Sequence, residues 1–531
     1  MLRLLLLLFV AVLSAAAQNP DKPCAGCHQK IYDSYQSTPM ARASGAAADG
    51  LLPGDFTHAA SGVHYRLFLR DGRAWLSYDR PDTALKGEQE LSYFVGSGQR
   101  GRTYLFQKDG FWFESPVNWY SKQRVWDMNP KSLDAKEMPF TLKVDAGCLH
   151  CHSTGVQASA PGAANHFGER PFRYPGITCQ ACHGDPAAHL ASEGKAPILN
   201  PAKLSPGKRD SVCLQCHLEG ETAVNSPGRS LANFVPGEDL SNYVTHFVHA
   251  GELGPNGRAT SQWEALLQSQ CKRKSGDKLT CTTCHDPHAS PPAEDRVSYF
   301  RGRCLTCHGA PAFVSKHHPD NPDCAGCHMP REKTADVAHE QVTDHRIQRR
   351  PGLVLTPLSG ELTAVGGGPV SGRDLGLAYF QFALHGDRQS GQRAMTLLQQ
   401  YERRGAKEPD PDLHRALGFL YQMSGDGAAA MREYQGALRD DPQDSVAAGD
   451  LAILEMHSGE PQSAIGRLRQ VSERDPGETA ASMDLAVIEC GMGNPQLAVK
   501  ALQHLLEFSP DDGKAQQMLT SIENKSETCG H

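Results

Sequence analysis

The chain has 531 residues, more than one ordinary core holds, so roughly two to four domains are expected. A formal net charge of −7 argues against a nucleic-acid binder. Apolar residues make up only 39%, below the usual ~45–50%, while cysteines number 17 and histidines 24, so something besides side chains is expected to fill part of the interior.

The N-terminus reads MLRLLLLLFVAVLSAAAQNP. Arg3 supplies a short positive region, Leu4 to Leu13 an apolar stretch, and Ala15-Ala16-Ala17 a small-residue cleavage site. Residues 1–17 are therefore expected to be a secretory signal peptide, too short for a stable membrane span. The mature chain then lies outside the cytoplasm, in the periplasm or beyond, with no transmembrane segment.

The first cysteines follow at once, in CAGCHQKIYDSYQSTPM. The spacing Cys-x-x-Cys-His occurs seven times: Cys24-Cys27-His28, Cys148-Cys151-His152, Cys179-Cys182-His183, Cys213-Cys216-His217, Cys281-Cys284-His285, Cys304-Cys307-His308 and Cys324-Cys327-His328. Zinc sites and redox dithiols also use Cys-x-x-Cys, but neither requires a histidine next to every pair. Covalent haem does: two thiols add to the two vinyl groups, and the adjoining imidazole becomes the proximal iron ligand. Seven haem c groups are therefore expected within residues 18–348, surrounded by short helices and long loops.

Met40 and several non-motif histidines are candidates for the sixth iron position. Pro39 should end a helix running from about Ile31, which displaces Met40 by about 18 Å along the axis from His28. Met40 then serves a neighbouring haem or returns by a turn; packing on a haem edge is the alternative. His189 in CHGDPAAHL and His288 in CHDPH each follow a motif closely. His317 and His318 lie between two motifs, and His339 and His345 close the region. His58, His64, His166, His246 and His249 have weaker claims.

Residues 55–145, free of cysteine, form an expected β-rich insert. HYRLFLRDGRAWLSYD and RTYLFQKDGFWFESP each place Asp-Gly between two alternating runs, the signature of a β-hairpin. Residues 349–373 are rich in glycine and proline and read as a linker. Beyond it, Gly425, Gly459 and Gly493 recur every 34 residues, as do Pro442, Pro476 and Pro510, and Leu417, Leu451 and Leu485. This is the tetratricopeptide period, with repeats expected at 411–444, 445–478 and 479–512 inside a domain spanning 374–525. His414 stands where that pattern has its first aromatic. A diverged helical pair precedes the repeats and GKAQQMLTSI caps them. Such solenoids bind peptides or proteins. Cys490 reads as a small buried hydrophobe, while Cys271 and Cys529 are unassigned, a disulfide being one option.

The stretches CAGCHQKIYDSYQSTPMARASG, ITCQACHGDPAAHL, LTCTTCHDPH and CAGCHMP resemble the tetrahaem cytochromes of ammonia oxidisers. These belong to a superfamily that includes pentahaem nitrite reductase and octahaem hydroxylamine oxidoreductase. The resemblance covers roughly 24–345 in motif order. It implies an axial role for His189, and it usually places histidine where Met40 stands.

The expected fold is multidomain: a multihaem cytochrome c part followed by an all-α solenoid. The expected function is an extracytoplasmic electron relay whose repeats dock redox partner proteins. Two alternatives stand beside it. One is a reductase or oxidase of a small nitrogen or sulfur compound at an open haem, disfavoured because no motif replaces its histidine with lysine. The other is a repeat-based scaffold with sensing haems.

Overall fold

The computed structural model describes residues 19–81, 83–249, 261–317, 320–331, 343–349, 360–405 and 409–524. The signal-peptide expectation, His318, His339 and Cys529 lie outside these residues. No helix among the described residues is long and apolar enough to cross a membrane.

Ten strands build the cysteine-free insert and its borders: β1 Ser44–Ala46, β2 Gly54–Thr57, β3 His64–Arg70, β4 Arg73–Asp79, β5 Lys86–Leu91, β6 Tyr93–Val95, β7 Gly101–Lys108, β8 Phe111–Tyr120, β9 Val125–Met128 and β10 Leu142–Lys143. They form two antiparallel sheets, β2-β3-β4-β5 and β1-β6-β7-β8-β10, with β9 pairing β8. Both expected hairpins are present. Asp71-Gly72 joins β3 to β4 with φ 52° and 74°, and Asp109-Gly110 joins β7 to β8 with φ 52° and 84°. Two positive φ values are what a two-residue turn needs to match the strand twist, and Asp-Gly tolerates them. Tyr65, Leu67, Leu76, Phe106, Phe113 and Val117 point into one shared core.

The motif-bearing segments contain short helices, among them Lys22–Gln36, Ala146–His150, Gln180–His183, Pro206–His217, Cys281–Cys284, Arg296–His308 and Cys324–His328. The first breaks helical geometry at His28, with φ −118° and ψ 37°, and ends before Pro39.

The C-terminal part is all-helical. Gly372–Leu384 and Arg388–Arg403 form the diverged pair; six helices from Pro411–Met423 to Pro495–Phe508 form three repeats; Gly513–Glu523 follows. Gly425, Gly459 and Gly493 turn the first helix of each repeat into the second at φ 83°, 82° and 80°. Gly418 has no room for a side chain, because a Cβ would sit 2.7 Å from the Tyr434 ring. Within the stretch read as linker, Leu362–Ala364 is an edge strand paired with Val244–His249.

The solenoid packs on the rest of the chain through its inter-repeat turns. Asp511, 2% exposed, accepts two hydrogen bonds from Arg80, at 2.7 and 2.6 Å, and one from the Met138 N–H at 2.6 Å. Lys143 Nζ meets Asp475 at 2.8 Å. The Ser445 hydroxyl donates to the Gly162 carbonyl at 2.7 Å. Phe508 joins the sheet core against Phe111 and Phe113. Cys490 is buried as expected, yet it is disulfide-bonded, so it is more than a packing residue.

Candidate functional site: a shared cavity lined by the cysteine motifs

Helical geometry explains the motif locally. Residues three apart share a helix face, so both thiols of a helical motif emerge on one side of a single turn, and the imidazole follows directly after. Motif helices converge in this way on a continuous cavity of about 2840 Å³. That is several times the ~300–1,000 Å³ of a pocket for one small ligand. All seven motif histidines line it, as do all motif cysteines except Cys148. Among the other candidates, Met40, His189, His288, His317 and His345 also line it, and so does Cys271.

Three of these candidates stand opposite motif imidazoles. The His183 and His288 ring centres are 6.0 Å apart with planes 10° apart. His285 and His345 are separated by 6.2 Å and 29°. His328 and His317 are separated by 5.7 Å and 19°, their Nε2 atoms 3.4 Å apart. Two metal–imidazole bonds of about 2.0–2.1 Å, end to end, hold facing nitrogens ~4 Å apart and ring centres ~6 Å apart. The observed separations are close to that span. His189 and Met40 line the cavity but belong to none of these pairs.

The far side of several rings is anchored. The Nδ1–H of His183 donates to Leu199 O at 2.7 Å, that of His328 to Gln348 O at 2.7 Å, that of His345 to Thr343 O at 2.7 Å and that of His189 to Ala196 O at 2.8 Å. A carbonyl only accepts, so the proton is fixed on Nδ1 and Nε2 keeps its lone pair, the usual support of a metal-bound histidine. Burial holds His217, His285, His288 and His345 below the ordinary imidazole range. That shift favours the neutral form, the one that binds metal.

These residues fit haem in a further respect. Arg209 lines the cavity, and its Nε is buried without a hydrogen-bond partner. A buried orphan guanidinium nitrogen calls for an anion, and a haem carries two carboxylates.

The weaker histidines lie elsewhere. Both ring nitrogens of His58 are bonded, to Ser61 and Leu133, and those of His64 to Asp79 and Asp55. His249 pairs with Glu221 at 2.6 Å. His246 is a buried strand residue whose pKa burial pushes down to about 4. His166 packs its ring edge-on against Phe111.

Two further cavity-lining residues were not singled out from the sequence. Tyr35 is 6% exposed, donates to Ile177 O at 2.7 Å and sets its ring edge against His288. Gln215, inside the fourth motif, accepts from His150 Nε2 at 2.9 Å and donates to Ala181 O at 3.3 Å, bridging the second and third motifs. A glutamine between two motif cysteines carries no signal of its own.

Residues 117–184, which hold the second and third motifs, match the cytochrome c554 and c-prime family. Residues 455–522 match the tetratricopeptide repeat family. The multiheme cytochrome MtrA of Shewanella baltica (strain OS185) is 26% identical over 208 residues, covering 34% of this chain and 60% of that protein. Among solved structures, MamA is 21% identical, covering 29% of this chain and 80% of its own at a TM-score of 0.26. YrrB, a tetratricopeptide protein with an unusual peptide-binding site, is 19% identical, covering 28% and 74% at a TM-score of 0.25. The Cys-x-x-Cys-His segments and these sequence matches together mark the chain as a multihaem c-type cytochrome with a C-terminal tetratricopeptide domain.

Proposed function

We propose that this chain relays electrons outside the cytoplasm through seven covalently attached haems. The observation that carries this reading is the single cavity onto which all seven Cys-x-x-Cys-His motifs open. When bound, each haem supplies an iron that takes up and gives up one electron. Cys24, Cys27, Cys148, Cys151, Cys179, Cys182, Cys213, Cys216, Cys281, Cys284, Cys304, Cys307, Cys324 and Cys327 tether the macrocycles. His28, His152, His183, His217, His285, His308 and His328 hold the iron on one side. His288, His345 and His317 close the opposite side of His183, His285 and His328, as their ring separations support. Met40 and His189 supply further sixth ligands from the cavity wall. Closed iron positions suit conduction, because nothing but an electron needs to enter.

Residues 1–17 direct export. The tetratricopeptide domain docks redox partner proteins on the surface its turns leave free, where Val446 and Val487 are each 52% exposed. A spectroscopically monitored redox titration of the purified protein tests the relay. It should find seven predominantly low-spin centres spread over a range of potentials. A dominant high-spin signal with rapid turnover of nitrite or hydroxylamine would point instead to an enzyme.

A further inference from the structure

We propose that Asp344 is a positioning residue for two iron centres at once, because it fixes one turn that presents His345 to the fifth motif and the Gln348 carbonyl to the seventh. This rests on the relay reading and gives a role to a residue behind the cavity wall.

Residues 343–348 run antiparallel to the end of the seventh motif. Arg331 and Thr343 form an antiparallel bridge. The Asp344 N–H donates to Pro330 O at 3.0 Å and the Gln348 N–H to His328 O at 2.8 Å. In return, Gln348 O accepts the His328 Nδ1–H at 2.7 Å. Alternate residues then face opposite ways. Thr343, His345 and Ile347 line the cavity. Asp344, Arg346 and Gln348 join one another behind it.

The Asp344 carboxylate is the centre of that join, and the residue is 0% exposed. It accepts the Arg346 N–H and Nε–H at 2.8 Å, meets a terminal Arg346 nitrogen at 2.7 Å and accepts from Gln348 Nε2 at 2.6 Å. Its bond to the N–H two residues on makes an Asx turn with His345 in the middle. His345 in turn donates its Nδ1–H to Thr343 O at 2.7 Å. Ile347 takes φ 50°, in the left-handed region that β-branched residues avoid. Such a conformation persists where the surroundings over-determine it. The bonds on Arg346 and Gln348, to either side of Ile347, do so here.

Both ends of the turn bear on an iron. His345 stands opposite His285, and Gln348 O holds the His328 ring that stands opposite His317. A carbonyl on Nδ1–H orients an imidazole and raises its basicity as a ligand. Asp344 acts through the turn, since its bonds are to Arg346 and Gln348.

The test is a resolved redox titration, with electron paramagnetic resonance, of full-length Asp344→Ala, His345→Ala and His317→Ala proteins. Each histidine variant should turn one low-spin centre high-spin, a different one in each. Asp344→Ala should alter those same two centres and leave the remaining potentials in place. The centre served by His345 should gain a high-spin fraction. The centre served by His317 should shift upward in potential, because His328 loses its acceptor and with it basicity. If Asp344→Ala does not fold, Asp344→Asn keeps an acceptor for the Arg346 N–H and should alter the same two centres to a smaller degree. An Asp344 variant that alters one centre, none, or all alike would overturn the proposal while leaving the relay intact. Histidine variants that leave every centre low-spin would refute the ligand reading, and the role of Asp344 with it.

Discussion

His183 and His288 face one another across 6.0 Å with ring planes only 10° apart, although one closes the third motif and the other follows the fifth. That separation is close to the ~6 Å that two imidazoles bound to one metal from opposite sides would keep. Replacing His288 with alanine should therefore convert one low-spin centre to high-spin and leave the haem count unchanged. Electron paramagnetic resonance of the oxidised protein reads this directly. An unchanged low-spin signal would assign the sixth position there to another group.

His288→Met keeps a sixth ligand but exchanges imidazole for thioether. The potential of that centre should rise while its low-spin spectrum persists. A titration in which no centre moves upward would remove His288 from the ligand set. The same exchange at His345 or His317 should move a different single centre.

Asp511 is buried under three hydrogen bonds from Arg80 and the Met138 N–H, and it comes from a repeat turn far along the chain. Arg80 keeps some contact with water, with its side chain 23% exposed, so breaking the pair should cost somewhat less than a fully buried one. Asp511→Asn is expected to lower stability by about 2–3 kcal/mol. Phe508→Ala, which empties a site 3% exposed against the sheet core, should cost about 3–5 kcal/mol. Thermal unfolding of the whole chain should show both losses in the transition of the β-insert. Losses confined to the solenoid would mean that the tail does not brace the sheets.

Burial raises the pKa of Asp450, on the second repeat, from 3.8 to about 6. A carboxyl whose folded value is raised favours the folded state while protonated. That contribution is complete below 3.8 and is lost as pH climbs through about 6. Asp450→Asn should therefore become more stable relative to the parent as pH rises from about 4 to 7, by on the order of 3 kcal/mol, and level off above. The pH profile of the difference in unfolding temperature checks this. A difference independent of pH would contradict it.

What could be read in the sequence was whatever chemistry or backbone geometry makes local. Covalent haem attachment fixes cysteine and histidine within five consecutive residues, so all seven motifs were visible. Asp-Gly between alternating runs marked both hairpins because few other pairs accept two positive φ values. The solenoid announced itself through Gly425, Gly459 and Gly493, one per turn. The distal partners were not legible in this way. Proximity to a motif singled out His288 as a candidate sixth ligand, but gave no sign that its ring faces His183 rather than its neighbour His285. The docking of the tail was invisible as well. Arg80 and Asp511 are ordinary charged residues until folding brings them together, and Leu362–Ala364 is a strand only because Val244–His249 offers an edge. His58 and His64, whose claims from the sequence are weaker, each engage both ring nitrogens with neighbouring partners.

The central claim is tested most directly by the intact mass of the mature exported protein under denaturing conditions. The account predicts a polypeptide heavier by seven covalently bound macrocycles, with the signal peptide gone. Unmodified cysteines, or zinc released on unfolding in place of haem, would contradict it.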